Sequence, residues 1–314
     1  MHIVSLLPSA TEVLFALGLG EQVAGVSHEC DYPPAARQKK VVIHSRIPAG
    51  ISPGEIDCAV REFVARGESL YAVDADALQA LAPDLIITQD LCHVCAASPD
   101  DLKAALGKLG RAPRVLSLNP QSFADVWRDI LSVGKETGVY GRAQSLVSEL
   151  ESRILAVEAR IGHAAKRPTA VFLEWLDPFY VGGHWVPEMM ERAGGADLLG
   201  KARTPSFRVT AEQIVSAAPE VLFVASCGYS AEQSRNEYLG MPLPPGWETI
   251  PAVRDGRVFA LEASGYFSRP GPRLVEGLET LARLFHPEVW AEKADPSPVL
   301  GIESRPLPAR VALA

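Results

Sequence analysis

The chain is short of the residues and runs that usually announce a chemistry. Cysteine occurs only five times in 314 residues, at positions 30, 58, 92, 95 and 227. That odd number lacks the regular spacing of a disulfide framework, so reduced thiols are expected. No apolar run approaches the roughly 18 residues that a membrane span requires. Cations are outnumbered, with 30 Lys and Arg against 38 Asp and Glu and a net charge of −8. The clustered positive surface that nucleic-acid phosphates demand is therefore missing, and nucleic acid is not expected as a partner. The basic stretches Arg37-Gln38-Lys39-Lys40 and Lys166-Arg167 are short and read as solvated faces. Catalytic signatures are absent as well. There is no H-E-x-x-H, Walker loop or G-x-G-x-x-G. Glu29 and Glu174 could act as acid and base, but carboxylates at caps and surfaces are commoner, and no catalytic residue is assigned.

The opening residues M-H-I-V-S-L-L-P-S-A-T-E carry no basic n-region and reach a proline and an acid early. They read as the first strand of a fold rather than a secretory signal. With free thiols to keep reduced, a cytoplasmic location is expected; a periplasmic one follows if the start is misassigned.

Strands alternate with helices. Apolar runs at His2–Leu7, Gln22–Ser27, Leu85–Thr88 and Arg114–Leu118 are separated by helical stretches, and a second series runs through Thr169–Leu173, Val221–Ala225 and Arg257–Leu261. This order favours parallel sheets covered on both faces. Ser9, three residues before Glu12, suggests a capping box. Two segments echo each other: A-L-Q-A-L-A-P-D-L-I-I-T-Q (77–89) and E-Q-I-V-S-A-A-P-E-V-L-F-V-A-S (212–226) both run helix, Ala-Pro-acid, strand. Between the series, Ala143, Leu146, Val147, Leu150, Ile154, Val157 and Ile161 recur at steps of three or four. They predict an amphipathic helix over 140–163, about 35 Å long. The expected architecture is α/β, with two Rossmann-like lobes of mainly parallel sheet joined by that helix and a ligand cleft between them. The N-terminal lobe is placed at 1–120, connecting helices at 121–167, the C-terminal lobe at 168–290 and a proline-rich tail at 291–314.

Ligands of parallel α/β sheets bind beyond the carboxyl ends of the strands. The residues following each strand are Pro8-Ser9, His28-Glu29-Cys30, Cys92-His93-Val94-Cys95, Glu174-Trp175, Gly183-His184-Trp185, Cys227-Gly228-Tyr229 and Ser264-Gly265-Tyr266-Phe267. Aromatic walls with a few polar groups describe a small-molecule pocket. The stretch Cys92–Cys95 stays open between pocket lining, a transition-metal contact and a redox pair. Zinc needs four ligands where one Cys-x-x-Cys supplies two; Cys30, His28 or Cys227 would have to complete the set. Cys58, within a predicted helix over 55–66, is expected to be buried and inert.

Taken in order, S-L-L-P-S-A-T-E-V-L-F-A-L-G-L-G (5–20), V-A-G-V-S-H-E-C-D-Y-P-P (23–34), A-P-D-L-I-I-T (82–88), V-T-A-E-Q (209–213) and G-Y-F-S-R-P-G-P-R (265–273) resemble the class III substrate-binding proteins of ABC transporters. The cobalamin-binding members are nearest, and the match spans about residues 2–285. The resemblance implies two α/β lobes on one long helix, and a corrinoid, haem or ferric chelate as ligand. It places Pro8, Ser9, Asp31, Tyr32, Phe207, Tyr266 and Phe267 near that ligand. It also puts Glu212 and Asp100 or Asp101 near the acidic positions that dock on a transporter permease. The thiols and imidazoles at Cys30, Cys92, His93, Cys95 and Cys227 depart from the family's aromatic and polar pocket. Three functions follow. The first is a non-catalytic corrinoid-binding protein. The second binds a metal ion, haem or ferric chelate through Cys and His. The third is a cytosolic thiol-dependent enzyme acting on corrinoids.

Overall fold

The computed structural model describes residues 1–48, 50–89, 107, 111–162, 164, 166–290 and 299–302. They form two compact units, Met1–Glu151 with Arg269–Pro272, and Ser152–Ser268 with Arg273–Ala314.

The first unit is built on six strands, β1 (Ile3–Ser5), β2 (Val23–Ser27), β3 (Lys40–Ser45), β4 (Tyr71–Val73), β5 (Leu85–Gln89) and β6 (Arg114–Leu118), in the order β4-β3-β2-β1-β5-β6. All neighbours are parallel except β3 and β4. Every residue of β1 is buried, as a central parallel strand covered on both faces requires. β3, K-V-V-I-H-S, starts at the exposed Lys40, the end of the basic stretch read as a solvated face, and then buries Val42 and Ile43 in the core.

The second unit holds β7 (Thr169–Leu176), β8 (Phe179–Val181), β9 (Ala196–Asp197), β10 (Phe207–Arg208), β11 (Val221–Val224), β12 (Val258–Leu261) and β13 (Val299–Gly301). The order is β10-β8-β7-β11-β12-β13, with β9 also paired to β7. β7, β11 and β12 are parallel, whereas β8, β10 and β13 run antiparallel to their neighbours. The described part of the proline-rich tail thus extends a sheet.

The helix Tyr140–Ile161 buries Ala143, Val147, Leu150, Ile154 and Val157, the stripe its period predicts. The division between units falls within it, between Glu151 and Ser152.

The sequence echo is a repeated structural device. The helices Ala75–Leu81 and Ala211–Ala217 each end on a left-handed alanine, Ala82 (φ 44°) and Ala218 (φ 47°), followed by proline and an acid. Asp84 accepts the His2 N–H at 2.9 Å while its own N–H donates to the His2 carbonyl at 2.8 Å. Glu220 does the same to Thr169, at 2.9 and 3.0 Å. Each acid clips the start of β1 or β7 to the strand it precedes.

Candidate functional site

In the first unit the expected capping box does not form. Leu7 occupies the cap with no side-chain bond, Pro8 opens the helix Pro8–Ala16, and Ser9 is buried inside its first turn. The Glu12 carboxylate is taken by Arg269 instead, at 3.4 Å. Arg269 also pairs with Asp31 at 2.5 Å and donates to the Glu29 carbonyl at 3.0 Å. Its guanidinium, only 14% exposed, thereby ties the loop after β2 to the first helix. That loop presents His28, Glu29 and Tyr32 at the surface. His28 Nδ1 lies 3.1 Å from the Ile43 carbonyl, and its ring is 6.4 Å from His44 and 6.1 Å from Tyr71.

The thiols differ from expectation. Cys30 is buried, with its Sγ 3.1 Å from Thr11 Oγ1. Burial pushes its thiol up to about 11, which disfavours the nucleophilic thiolate at neutral pH. Cys58, expected inside the core, is exposed on its helix beside Glu62, and Cys227 is exposed after β11. Among the described residues no three of His, Cys, Asp and Glu are grouped to hold a metal ion. Cys92, His93, Cys95, Asp100 and Asp101 lie outside the described residues.

In the second unit two expected wall residues are core. Trp185 is buried and gives its indole N–H to the Phe267 carbonyl at 2.8 Å; Phe267 is buried against Phe172 at 5.3 Å. His184 has φ 47°, stacks on Trp185 at 5.5 Å, and is held neutral to lower pH by burial. Its N–H donates to the Thr204 carbonyl at 2.6 Å, and the Arg203 N–H returns to the His184 carbonyl at 2.9 Å. The close approach inferred for Gly182-Gly183 is real at Gly183, where a Cβ would drive into the backbone of Thr204–Ser206. Beneath these loops Glu174 accepts from Ser206 Oγ at 2.5 Å and from the Gly183 N–H. Desolvation raises its carboxyl to about 7, helped by the charge of Asp197.

What remains available is aromatic. Trp175, on β7, meets Tyr229, from the loop after β11, with ring centroids 5.7 Å apart; both are half-buried. The Cys227 N–H, bonded to the Glu174 carbonyl at 3.0 Å, holds the two strand ends together. Tyr266 and Phe207 are also half-buried; Arg273 lies over the first ring at 5.4 Å and the Lys201 ammonium over the second at 5.2 Å. Glu212 is exposed in the first turn of its helix, its carboxyl lowered by the Thr210 hydroxyl. Arg269 and Glu237 were not singled out from sequence, because their partners lie far along the chain or on another element.

Residues 3–264 match the periplasmic binding protein family. The chain belongs to that family. It is 28% identical over 295 residues, 92% of this chain and 81% of the relative, to the ABC transporter substrate-binding lipoprotein YvrC of Bacillus subtilis. It is 23% identical to the vitamin B12-binding protein of Vibrio cholerae, covering 88% of this chain and 86% of that one. The fold matches a periplasmic haem-binding protein of Pseudomonas aeruginosa with TM-score 0.74 at 21% identity, covering 97% and 98% of the two chains. It also matches the periplasmic vitamin B12-binding protein BtuF of V. cholerae with TM-score 0.66 at 20% identity, covering 93% and 98%. Membership makes this a non-catalytic solute-binding protein, one whose family binds small ligands for ABC transporters. The reading as a thiol-dependent enzyme lapses. The expected cytoplasmic location is overturned too, since the family is periplasmic and one relative is a lipoprotein. No helix among the described residues is long and apolar enough to cross a membrane.

Proposed function

We propose that this solute-binding protein takes a corrinoid, cobalamin-like ligand and delivers it to an ABC transporter permease. The observation that carries the reading is the half-buried Trp175–Tyr229 pair at the carboxyl ends of β7 and β11. Such a pair offers a flat apolar surface for a large ring, and the strand ends are where α/β sheets take ligands. Relatives named as vitamin B12-binding proteins support the ring's identity. His184, Phe207 and Tyr266 supply further edges in this reading, and Glu212 is its exposed docking acid.

The test titrates purified protein with cyanocobalamin and, separately, with hemin, following visible absorbance and heat. A saturable 1:1 signal with cyanocobalamin, weakened at least tenfold in Trp175→Ala, is expected. Absence of both heat and spectral change with cyanocobalamin removes the corrinoid reading. Saturation by hemin alone establishes the haem alternative in its place. Metal analysis of the purified protein decides whether the Cys and His residues hold a transition metal instead.

A further inference from the structure

Three strands of the second unit each contribute one residue to a row that leads away from the Trp175–Tyr229 pair. Trp175 on β7 stands directly opposite Tyr180 on β8, and Tyr180 stands directly opposite Arg208 on β10. Both pairings are antiparallel, and directly opposed residues place their side chains on the same face of a sheet. The side-chain contacts follow that register. The Arg208 guanidinium carbon lies 5.5 Å from the Tyr180 ring centroid, and Arg208 Nε donates to the Tyr180 hydroxyl at 2.9 Å. Tyr229, with its ring 5.7 Å from that of Trp175, stands at the other end. The row therefore runs Tyr229, Trp175, Tyr180, Arg208: three aromatic rings ending in a cation.

Solvent reaches every member of the row, since the three rings are half-buried and Arg208 is exposed. Strand alternation is the reason. In F-Y-V of β8 and F-R of β10, Phe179, Val181 and Phe207 turn into the apolar core, which leaves Tyr180 and Arg208 on the other face. Two strand spacings of about 4.8 Å put Arg208 about 10 Å from Trp175 along the row. The Tyr180 ring and hydroxyl hold the guanidinium in one orientation, so less freedom is lost when it takes a ligand group. A guanidinium carries five N–H donors in a fork, and one bond to a tyrosine oxygen does not exhaust them.

We infer that Arg208, oriented by Tyr180, is the anion-recognising end of this surface, and that the ring lying on Trp175 and Tyr229 carries a phosphate or carboxylate on its rim. The inference rests on the reading that this face takes a large ring, and it names the chemistry of that ring's edge. A macrocycle covers the aromatic rings while a rim substituent spans the remaining distance to the guanidinium. Cobalamin bears such a group, the phosphodiester of its nucleotide loop, and cobinamide lacks it. Hemin bears two carboxylates, which its dimethyl ester masks. A guanidinium fork bonds either anion through paired N–H groups. The chain's net charge of −8 disfavours anions over the rest of the surface, so a cation at one end of the row also sets which way round the ligand lies.

The experiment measures four affinities, for cyanocobalamin, dicyanocobinamide, hemin and hemin dimethyl ester, with the wild-type protein, Arg208→Ala and Tyr180→Phe. Thermal melts show that each variant is folded. Arg208→Ala is expected to weaken cyanocobalamin about five- to tenfold, the scale of a hydrogen bond to a charged group, and to leave dicyanocobinamide unchanged. Tyr180→Phe keeps the ring and frees the guanidinium, so it should weaken cyanocobalamin about twofold and again spare dicyanocobinamide. Added salt should narrow the gap between the two corrinoids in the wild type and not in Arg208→Ala. The subsite is overturned if folded Arg208→Ala binds cyanocobalamin as the wild type does, or loses both corrinoids in the same proportion. Wild-type protein that binds neither corrinoid sinks the corrinoid reading alone. The porphyrin arm then decides the subsite, which stands if Arg208→Ala weakens hemin and spares its dimethyl ester, and falls if it does not. Protein that binds none of the four probes removes both.

Discussion

Arg269 Nη1 stands 3.4 Å from Glu12 Oε1, although 257 residues separate them in sequence. The same guanidinium bonds Asp31 and the Glu29 carbonyl, so one side chain unites the first helix, the loop after β2 and the segment Arg269–Pro272 within the first unit. Glu12 is almost fully buried, and removing Arg269 takes away a cation that offsets its charge there. Arg269→Ala should therefore cost about 3–5 kcal/mol in denaturant unfolding. Adding Glu12→Gln should restore part of the loss, because the stranded charge goes with it. Simple addition of the two single-mutant costs would show that the pair is not coupled.

Glu174 gives the protein a pH dependence of defined sign. Its folded-state carboxyl titrates near 7, above the ordinary 4.5, because of desolvation. Below about 4.5 both states are protonated and nothing is lost. As pH rises from there through 7, the unfolded chain ionises freely while the folded one resists, so stability falls by up to about 3 kcal/mol. Glu174→Gln should flatten that part of the stability curve and gain most at pH 8. Curves that stay parallel between pH 4.5 and 8 would show the carboxyl is not perturbed.

Gly183 faces the backbone of Thr204–Ser206 with no space for a Cβ, and backbone cannot step aside as a side chain does. Gly183→Ala should lower the melting temperature, by an amount corresponding to about 2 kcal/mol or more. It should also disturb the paired bonds between His184 and residues 203–204, visible as faster amide exchange there. An unchanged melt would mean the loops part freely.

Ala82 and Ala218 hold φ values of 44° and 47°, a region that costs a residue with a Cβ about 1–2 kcal/mol. Ala82→Gly and Ala218→Gly should each be neutral to stabilising, against the usual cost of adding glycine, since relief of strain offsets the lost unfolded-state restriction. Both variants melting lower than the parent would contradict the strain.

Glu212 is exposed and its partner Thr210 sits on its own helix, so Glu212→Lys should leave stability within about 0.5 kcal/mol. If this acid docks on the permease, ligand uptake by membranes carrying that permease should fall while ligand affinity in solution stays the same. Undiminished uptake would release Glu212 from that role.

Legibility in the sequence followed the range of the interactions. β1, β2, β5, β6, β7, β11 and β12 were readable because each is an apolar run bounded by helical stretches, and buried parallel strands show that pattern locally. The helix Tyr140–Ile161 was readable from its period. β4, β8, β9 and β10 were not, since two or three residues carry no period and their pairing is made by neighbours elsewhere in the chain. Trp185 and Phe267 looked like pocket walls because loop position was visible and burial was not. Ser9 and Glu12 had the spacing of a cap, but Pro8 starts the helix and Arg269 outbids the cap for the carboxylate.

By itself, then, the amino-acid order determined the alternation of strand and helix, the duplicated Ala-Pro-acid turn, the long amphipathic helix and the family, because propensity, periodicity and motif order are properties of neighbouring residues. Only tertiary structure decided which thiols and aromatics are spent in the core, that Glu12 pairs with Arg269, and that Glu237 takes the Ser226 hydroxyl. Those outcomes depend on burial and on charge pairing between distant segments, which follow from how the chain is folded.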